Sequence, residues 1–422
     1  MSRQDIHVRA ERDIPPVLPN RTQDLARLLI LNSGENIPVV TVVGKFNHGK
    51  SQLLNELIGN DAFSVADKRE TTTLAEHLHD DVRWLDAPGL DADIGNADDR
   101  LAAQAAWLQS DIRLVVHAAK EGELDEDERR LLHELDADGK KTQRQTLLVL
   151  SQADQLADDA ELKKVSQAIL AQAPGMALNI VSSTRHQKGK QEGKTLLVSK
   201  SGIPALKAAL GAALKKVPQA RSHEKQMLLN TIRSELRQLS DSYASMLADL
   251  YSKQQQQRQR FDRDIFGALD KVEHDMQKTL EVRGVDHSLT PDAAEDQFRL
   301  TAGKIERARL QIAYSQACIY LNGVLTRHGV LELPSEQQTS AASLNTVMVA
   351  VMGVSVKYRK DLHNIFCTAS GRTALHRQFT RYFEISADQK MLLAQIADAE
   401  HSVATTDKAL AALQALETIT QI

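Results

Sequence analysis

Two patterns of hydrophobic positions divide the chain near residue 217. Before it, short runs of β-branched residues, clearest over Ile37–Val43, predict buried strands, and apolar residues at helical spacing lie between these runs. The further predicted strands are Ala75–His79, Val82–Asp86, Ile112–Ala118, Thr146–Leu150 and Leu178–Ser182. The predicted helices are Ser51–Ile58, Leu101–Leu108, Asp125–Leu135, Ala160–Gln172 and Gly202–Leu214. This alternation predicts an α/β domain with a mostly parallel sheet and helices on both faces.

After residue 217 the spacing is predominantly helical. Apolar residues recur every three or four positions from Leu228 to Leu280, which is typical of a coiled-coil-like stripe. A polar stretch, Gln254–Gln257, fits either a turn between two helices or a solvent-exposed part of one long helix. Further helical blocks are predicted at about 291–331, 358–383 and 387–416. Four such segments predict an all-α helical bundle or stalk.

The N-terminal residues show neither pattern at first. Pro15, Pro16 and Pro19 predict a loose arm over residues 1–19, and leucines at helical spacing then predict a short helix over Thr22–Leu31. We therefore predict three parts: an arm and helix packing on the stalk (1–35), the α/β domain (36–217) and the helical bundle (218–422).

Composition narrows the class of protein. The chain is 42% hydrophobic and 26% charged, as expected of a soluble globular protein. A formal net charge of −4 provides no overall basic surface, so no nucleic-acid partner is predicted. Cys318 and Cys367 lack metal-ligand spacing, and the first 19 residues lack an apolar signal segment, which together predict a cytoplasmic protein.

The strongest chemical signal is a phosphate-binding loop. Gly44-x-x-x-x-Gly49-Lys50-Ser51 follows a predicted strand and begins a predicted helix, the context that favours a P-loop over a chance glycine-rich loop. The glycines allow main-chain N–H groups to surround phosphates at a helix N-terminus. Lys50 is predicted to bind the β- and γ-phosphates, and the Ser51 hydroxyl to bind Mg²⁺. The sequence thus predicts a nucleotide triphosphatase.

Two later segments fit the same chemistry. Asp86-Ala-Pro-Gly89 ends a predicted strand, where Asp86 can hold Mg²⁺ through water and the Gly89 N–H can contact the γ-phosphate. The run Thr71–Thr73 can supply a hydroxyl that closes over Mg²⁺, and we favour Thr72, although threonines before a strand also fit plain β-propensity.

Base recognition is predicted from the segment Ser151-Gln-Ala-Asp154. GTPases usually have Asn or Thr, Lys, any residue and Asp here, so Asp154 can accept the guanine N1–H and N2–H groups, whereas Gln152 replaces the lysine that covers the base. A surface-loop aspartate is the alternative. Ser182-Ser-Thr184 would contact the base oxygen through main-chain N–H groups. The predicted nucleotide-binding residues are Gly44, Asn47, His48, Gly49, Lys50, Ser51, Gln52, Asp86, Gly89, Asp154, Ser182 and Ser183.

The loop sequence Val42-Val-Gly-Lys-Phe-Asn-His-Gly-Lys-Ser-Gln-Leu-Leu-Asn-Glu-Leu-Ile-Gly59 resembles that of bacterial dynamin-like proteins. The Asp86–Gly89 motif, the segment from Asp111 to His117 and the order of a G domain before helices are similar too. This resemblance implies a large GTPase that binds GTP and GDP with Mg²⁺ and is activated when two G domains meet. It also implies that the helical part drives self-assembly or membrane remodelling.

Two departures bear on turnover. Asn47 stands where eukaryotic dynamins have a catalytic serine, and it resembles the P-loop Asn that holds K⁺ in potassium-dependent tRNA-modification GTPases. Leu90 stands where Ras-like enzymes have a water-orienting Gln, so slow intrinsic hydrolysis is predicted unless dimerisation supplies another group. The predicted catalytic residues are Lys50, Ser51, Asn47 and Thr72, with Mg²⁺ on Ser51, Thr72 and Asp86 and K⁺ on Asn47.

The most apolar stretch, residues 344–356, precedes a basic cluster. Within the segment 334–360 it fits either a buried core or interface segment, or an exposed tip that contacts an anionic membrane. The predicted tip residues are Val347, Met348, Val349, Val351, Met352, Lys357, Arg359 and Lys360. We therefore predict a dynamin-like GTPase, peripheral at the inner face of the cell membrane, or alternatively a regulatory GTPase switch whose helices bind a protein partner such as a sister subunit.

Overall fold

The structure is a computed structural model that describes most of the chain. The described residues are 2–64, 75–87, 108–281, 284–291, 293–296, 298–331 and 358–420. Three predictions lie wholly or mostly outside them: the Thr71–Thr73 run with Thr72, the helix Leu101–Leu108, and residues 344–357 of the predicted tip.

Six strands form one sheet in the first half of the chain. They are β1 (Val39–Val43), β2 (Ala75–His79), β3 (Val82–Asp86), β4 (Ile112–Ala118), β5 (Gln145–Ser151) and β6 (Leu178–Ile180). Their order across the sheet is β2-β3-β1-β4-β5-β6, and only the edge pair β2–β3 is antiparallel. The predicted α/β fold with a mostly parallel sheet is confirmed.

Of the described α-helices in the first 214 residues, two precede the sheet, three lie between its strands and three follow its last strand. They are α1 (Arg3–Asp13), α2 (Thr22–Asn32), α3 (Lys50–Ile58), α4 (Glu126–Thr142), α5 (Asp159–Gln172), α6 (Ser183–Gln191), α7 (Thr195–Lys200) and α8 (Ile203–Leu214). Helices α6 and α7 were not predicted, because α6 lacks an apolar stripe and α7 has only 6 residues.

Strands β4 and β5 contribute alternate side chains to two separate cores. On β4, Leu114 and Val116 pack with α3 and α8, whereas Val115 packs with α4 and α5. All five residues of β1 are buried. This burial on both faces explains why the strand sequences read as continuous β-branched runs.

The predicted loose arm over residues 1–19 is wrong for its first half. Ser2 and Asp5 form a capping box in which each side chain accepts the other residue's main-chain N–H, and helix α1 runs from there to Asp13. Pro15 and Pro16 follow the helix and therefore do not interrupt it. Buried residues of α1 and α2, including Leu28, pack in one cluster with Ile232 and Leu413 from later helices.

A buried ion network joins the sheet to these helices. The Arg27 guanidinium on α2 donates to Asp111, just before β4, at 3.1 Å and to Glu224 at 2.9 Å. Asp111 also accepts the Val39 N–H at 2.8 Å and the Arg221 guanidinium at 2.6 Å. The side chains of Arg27, Asp111 and Glu224 are at most 3% exposed. The first strand, α2 and the helix that carries Glu224 are thus fixed to one carboxylate.

After α8 the described chain is helical. The remaining helices are α9 (Val217–Leu280), α10 (Ala302–Arg327), α11 (Arg359–Leu362), α12 (Ala369–Glu384) and α13 (Ala387–Thr420), with a π-helix at His363–Cys367. The polar stretch Gln254–Gln257 lies inside α9, so the prediction of one long helix is the correct alternative. The predicted helical C-terminal region is confirmed by these helices. Among the described residues, no helix has both the length and the hydropathy needed to cross a membrane.

The chain forms two compact units. The first contains residues 1–239 and 405–422, and the second contains residues 240–404. The boundary therefore falls inside α9 and α13 rather than at residue 217, because the ends of these helices pack with α1 and α2. In the second unit, Phe261, Leu321 and Phe379 belong to one apolar core.

Candidate nucleotide-binding site

The loop between β1 and α3 has the backbone geometry that a P-loop requires. Gly44 lies so close to β4 that an added Cβ would come within 2.3 Å of the Val116 carbonyl oxygen, which excludes any side chain there. Asn47 and Gly49 both have positive φ, +57° and +79°, which Asn and Gly adopt most readily. Gly49 directly precedes α3, so the loop ends at a helix N-terminus.

Lys50 and Ser51, the first residues of α3, carry the predicted phosphate and Mg²⁺ chemistry. The Lys50 ammonium folds back over the loop and donates to the Lys45 carbonyl at 2.8 Å. The Ser51 hydroxyl donates to Asp86 Oδ2 at 2.5 Å, at the end of β3. The structure therefore brings together Lys50, Ser51 and Asp86 as the sequence predicts.

The Ser51–Asp86 pair fits a Mg²⁺ ion. The second carboxylate oxygen, Asp86 Oδ1, is buried and has no hydrogen-bond partner among the described residues. Burial raises the pKa of Asp86, and the Ser51 hydrogen bond and the Lys50 charge lower it by less. A carboxylate that is costly to bury, beside a hydroxyl oxygen, is a favourable donor set for a hard divalent cation. Bound Mg²⁺ would neutralise charge on the β- and γ-phosphates.

Gln152 replaces the expected lysine and makes a direct contact with the P-loop. Its Nε2 group donates to the Asn47 carbonyl at 2.7 Å, while its Oε1 atom is buried without a hydrogen-bond partner among the described residues. The preceding Ser151 hydroxyl lies 2.6 Å from the His48 carbonyl and 3.1 Å from the His117 carbonyl. The base-recognition segment is therefore joined to the P-loop at two adjacent residues.

Asp154 is exposed beside this segment, where it can accept hydrogen bonds from a base. The Ser182 hydroxyl donates to Asp154 Oδ1 at 2.5 Å and accepts the Arg185 N–H at the start of α6. The predicted main-chain contact from Ser182 to the base is wrong, because its N–H donates to the Ser201 carbonyl at 2.8 Å. The structure instead gives Ser182 a role in orienting Asp154.

Beneath the loop lies a second set of residues, of which the sequence predicted only His48, as a nucleotide-binding residue. His48 Nδ1 lies 3.1 Å from the Val116 carbonyl, and burial lowers the pKa of His48. His117 Nδ1 lies 2.9 Å from Glu128 Oε1, and the ligand atoms of His48, His117 and Glu128 all lie within 4.8 Å of one another. Lys45 pairs with Asp125 at the start of α4. No spacing rule connects these residues, because they come together only through the sheet.

The positions of the other predicted site residues say less about nucleotide binding. Gln52 is half-buried on α3 and Ser183 is the buried first residue of α6, while Gly89 lies outside the described residues. Of the predicted tip, Lys360 is exposed, but the Arg359 guanidinium donates to Glu306 at 2.8 Å with only 14% of its side chain exposed. Arg359 is therefore paired within the second unit, and its role as a headgroup-binding residue stays a prediction.

A family model and curated relatives match the part of the chain that contains this geometry. Residues 39–152 match the family model described as a 50S ribosome-binding GTPase. GTPase Era from Bordetella petrii is 32% identical over 156 residues, which cover 35% of this chain and 51% of Era. A solved structure of an oligomerised bacterial dynamin pair aligns at 13% identity with a TM-score of 0.36, over 99% of this chain and 72% of that one.

The sheet, the loop and the family match define a P-loop GTPase domain, and the enzyme is a GTPase. An uncharacterized protein of Acinetobacter baylyi is 49% identical over 401 residues, which cover 95% of this chain and 96% of that protein. The chain belongs to the same family as this Acinetobacter protein, and the similarity extends through the helical region as well as the GTPase domain.

Proposed function

We propose that this protein is a dynamin-like GTPase. Two G domains meet across their nucleotide faces, which activates hydrolysis of GTP to GDP and phosphate. The nucleotide state then controls assembly of the helical parts and binding to an anionic membrane surface at the inner face of the cell membrane. Its partners are a second copy of itself and a sister dynamin-like subunit.

The observation that carries this proposal is the packing of helices around the G domain. Helices α1 and α2 precede the G domain in sequence, yet their buried residues pack with the start of α9 and the end of α13 in one cluster. Arg27 and Glu224 tie the same helices to Asp111 at the start of β4. A displacement of β4 during the GTPase cycle would therefore be transmitted directly to helices that also contain the C-terminal residues.

Dimerisation is part of the proposal because the described site holds few groups for the attacking water. Lys50, Ser51 and Asp86 account for phosphate and Mg²⁺, and Leu90 occupies the position of the water-orienting Gln of Ras-like enzymes. The measurement is GTP turnover per molecule against protein concentration, with Lys50→Ala as the inactive control. A steep rise with concentration is expected, and turnover per molecule independent of concentration would contradict activation by dimerisation.

Potassium is the proposed second cation at this site. Asn47 is exposed in the loop with its main chain held by Gln152, so its side chain is free to turn toward a cation beside the phosphates. A positive charge there would stabilise the charge that develops between the β- and γ-phosphates. Turnover is expected to be faster in K⁺ than in Na⁺ at equal ionic strength, and equal rates would remove this role from Asn47.

Membrane binding is proposed from the apolar segment 344–356 and the exposed Lys360. The test is co-sedimentation with vesicles that contain anionic lipid. Val351→Asp is expected to reduce binding, whereas the matched control Val8→Asp, at an exposed position on α1, is expected to leave it unchanged. Absence of binding, or equal binding by both variants, would overturn the membrane part of the proposal.

The alternative is a regulatory GTPase switch that acts through a protein partner without membrane contact. A specific observation favours it: Ile305, Ile312 and Ile319 on α10 are spaced by seven residues and are 53%, 59% and 61% exposed. Such a stripe is typical of a surface that pairs with another helix. Concentration-dependent turnover combined with no vesicle binding would favour this alternative.

A further inference from the structure

The P-loop carries a second lysine whose main chain and side chain have different partners. The Lys45 carbonyl oxygen accepts the Lys50 ammonium at 2.8 Å, so the Lys45 main chain lies within reach of the phosphate-binding lysine. The Lys45 side chain instead pairs with the Asp125 carboxylate. The loop thus holds two ammonium groups, and only that of Lys50 has been assigned to phosphate.

Asp125 is held in place by contacts that do not involve Lys45. It is the N-cap residue of α4: its Oδ1 atom accepts the Glu128 N–H at 2.9 Å, and the Glu128 carboxylate accepts the Asp125 N–H at 3.2 Å. Glu128 is itself bound to His117 at 2.9 Å. Asp125 therefore keeps its position whether or not Lys45 is bound, and Lys45 is the mobile member of the pair because its four-carbon stem is flexible.

The pair is also weak enough to exchange. The Lys45 side chain is 31% exposed and the Asp125 side chain 42% exposed, and ion pairs of this kind contribute little in water. A nucleoside triphosphate brings several negative charges into the loop, a stronger counter-charge than one carboxylate.

We propose that Lys45 is a second phosphate-binding lysine and that Asp125 competes with the nucleotide for it. Asp125 thereby lowers nucleotide affinity, and binding of nucleotide breaks the ion pair between the Lys45 side chain and the start of α4. This inference rests on the proposed function, because it requires that the loop bind GTP or GDP.

A double-mutant cycle tests the competition. Asp125→Asn keeps the helix cap, since Asn and Asp are equally good N-cap residues, but removes the charge that holds Lys45. We expect Asp125→Asn to tighten GTP binding by about twofold to fivefold and Lys45→Gln to weaken it similarly, as for loss of one exposed charge contact. In the Lys45→Gln background, Asp125→Asn should have no effect, and Lys45→Arg should restore affinity.

Two outcomes would overturn the inference. If Asp125→Asn tightens binding equally in the unchanged protein and in the Lys45→Gln background, then the carboxylate acts by direct repulsion and not through Lys45. If Lys45→Gln binds GTP as well as the unchanged protein, then Lys45 does not contact phosphate. A parallel Lys50→Ala measurement separates these failures from failure of the proposed function. When only the inference fails, the unchanged protein binds GTP and Lys50→Ala abolishes that binding. When the proposed function fails, the unchanged protein itself does not bind GTP.

Discussion

The buried ion network at Arg27 provides the sharpest stability prediction. In the Arg27→Met variant, a side chain of similar length replaces the guanidinium, and four contacts are lost: those to Asp111 and Glu224, and those to the Leu108 and Gln109 carbonyls at 3.0 and 3.3 Å. Removing one partner of a buried ion pair typically costs about 3–5 kcal/mol. Asp111 still pairs with Arg221, and Glu224 still pairs with Arg144 at 3.3 Å, so each carboxylate keeps a cationic partner. We therefore expect the free energy of unfolding to fall by about 3 kcal/mol, the low end of this range.

Urea unfolding followed by far-UV circular dichroism measures this loss. A loss of about 3 kcal/mol lowers the midpoint by about 1 M or more, given usual urea slopes. The matched control is Arg83→Met, which removes the exposed Arg83–Glu35 pair and is expected to change stability by no more than about 0.5 kcal/mol. Equal midpoints for Arg27→Met and Arg83→Met would refute the reasoning. The buried Arg27 contacts would then contribute no more to stability than the exposed Arg83–Glu35 pair.

Three further predictions concern the nucleotide site. Gln152→Lys restores the usual base-covering lysine and is expected to tighten GTP binding severalfold while ATP binding stays unchanged in a competition assay; equal gains for both nucleotides would contradict a base contact. Asp86→Asn is expected to abolish the difference between GTP affinity with Mg²⁺ and with EDTA, and a persisting difference would mean that Asp86 does not hold the ion. Burial lowers the pKa of folded His48, so its contribution to stability is present above the unfolded value near 6.5 and is lost as the pH falls through the folded value. The free energy of unfolding should therefore fall from pH 7.5 to pH 5 by more in the unchanged protein than in His48→Asn, and equal falls would contradict this.

The strands were predictable because burial on both faces constrains their sequences. Val82–Asp86 and Ile112–Ala118, which are almost wholly buried, have the predicted ends. The edge strand Ala75–His79 also has the predicted ends, although its residues are alternately half-buried and exposed. Helix α1 was not predictable from hydrophobic spacing, because Ala10 is its only buried residue. Its signal is the capping box at Ser2 and Asp5, which is a local hydrogen-bond pattern that an apolar periodicity does not report.

The phosphate-binding residues were predictable from the sequence, whereas the residues that hold the P-loop in place were not. Gly44, Lys50 and Ser51 occupy one short motif, so their chemistry follows from sequence order. Gln152 meets the Asn47 carbonyl across 105 residues of sequence. Contacts of this range depend on strand order, because β5 reaches the P-loop only by lying beside β4.

The Ser151 hydroxyl has a consequence for how a nucleotide is bound. Its single proton faces the carbonyls of both His48 and His117, so the end of β5, the end of β4 and the P-loop meet at one group. The surfaces for the base and for the phosphates are therefore preorganised relative to each other. The entropy of aligning them is lost during folding rather than during binding, so the two ends of a nucleotide should bind as one rigid unit.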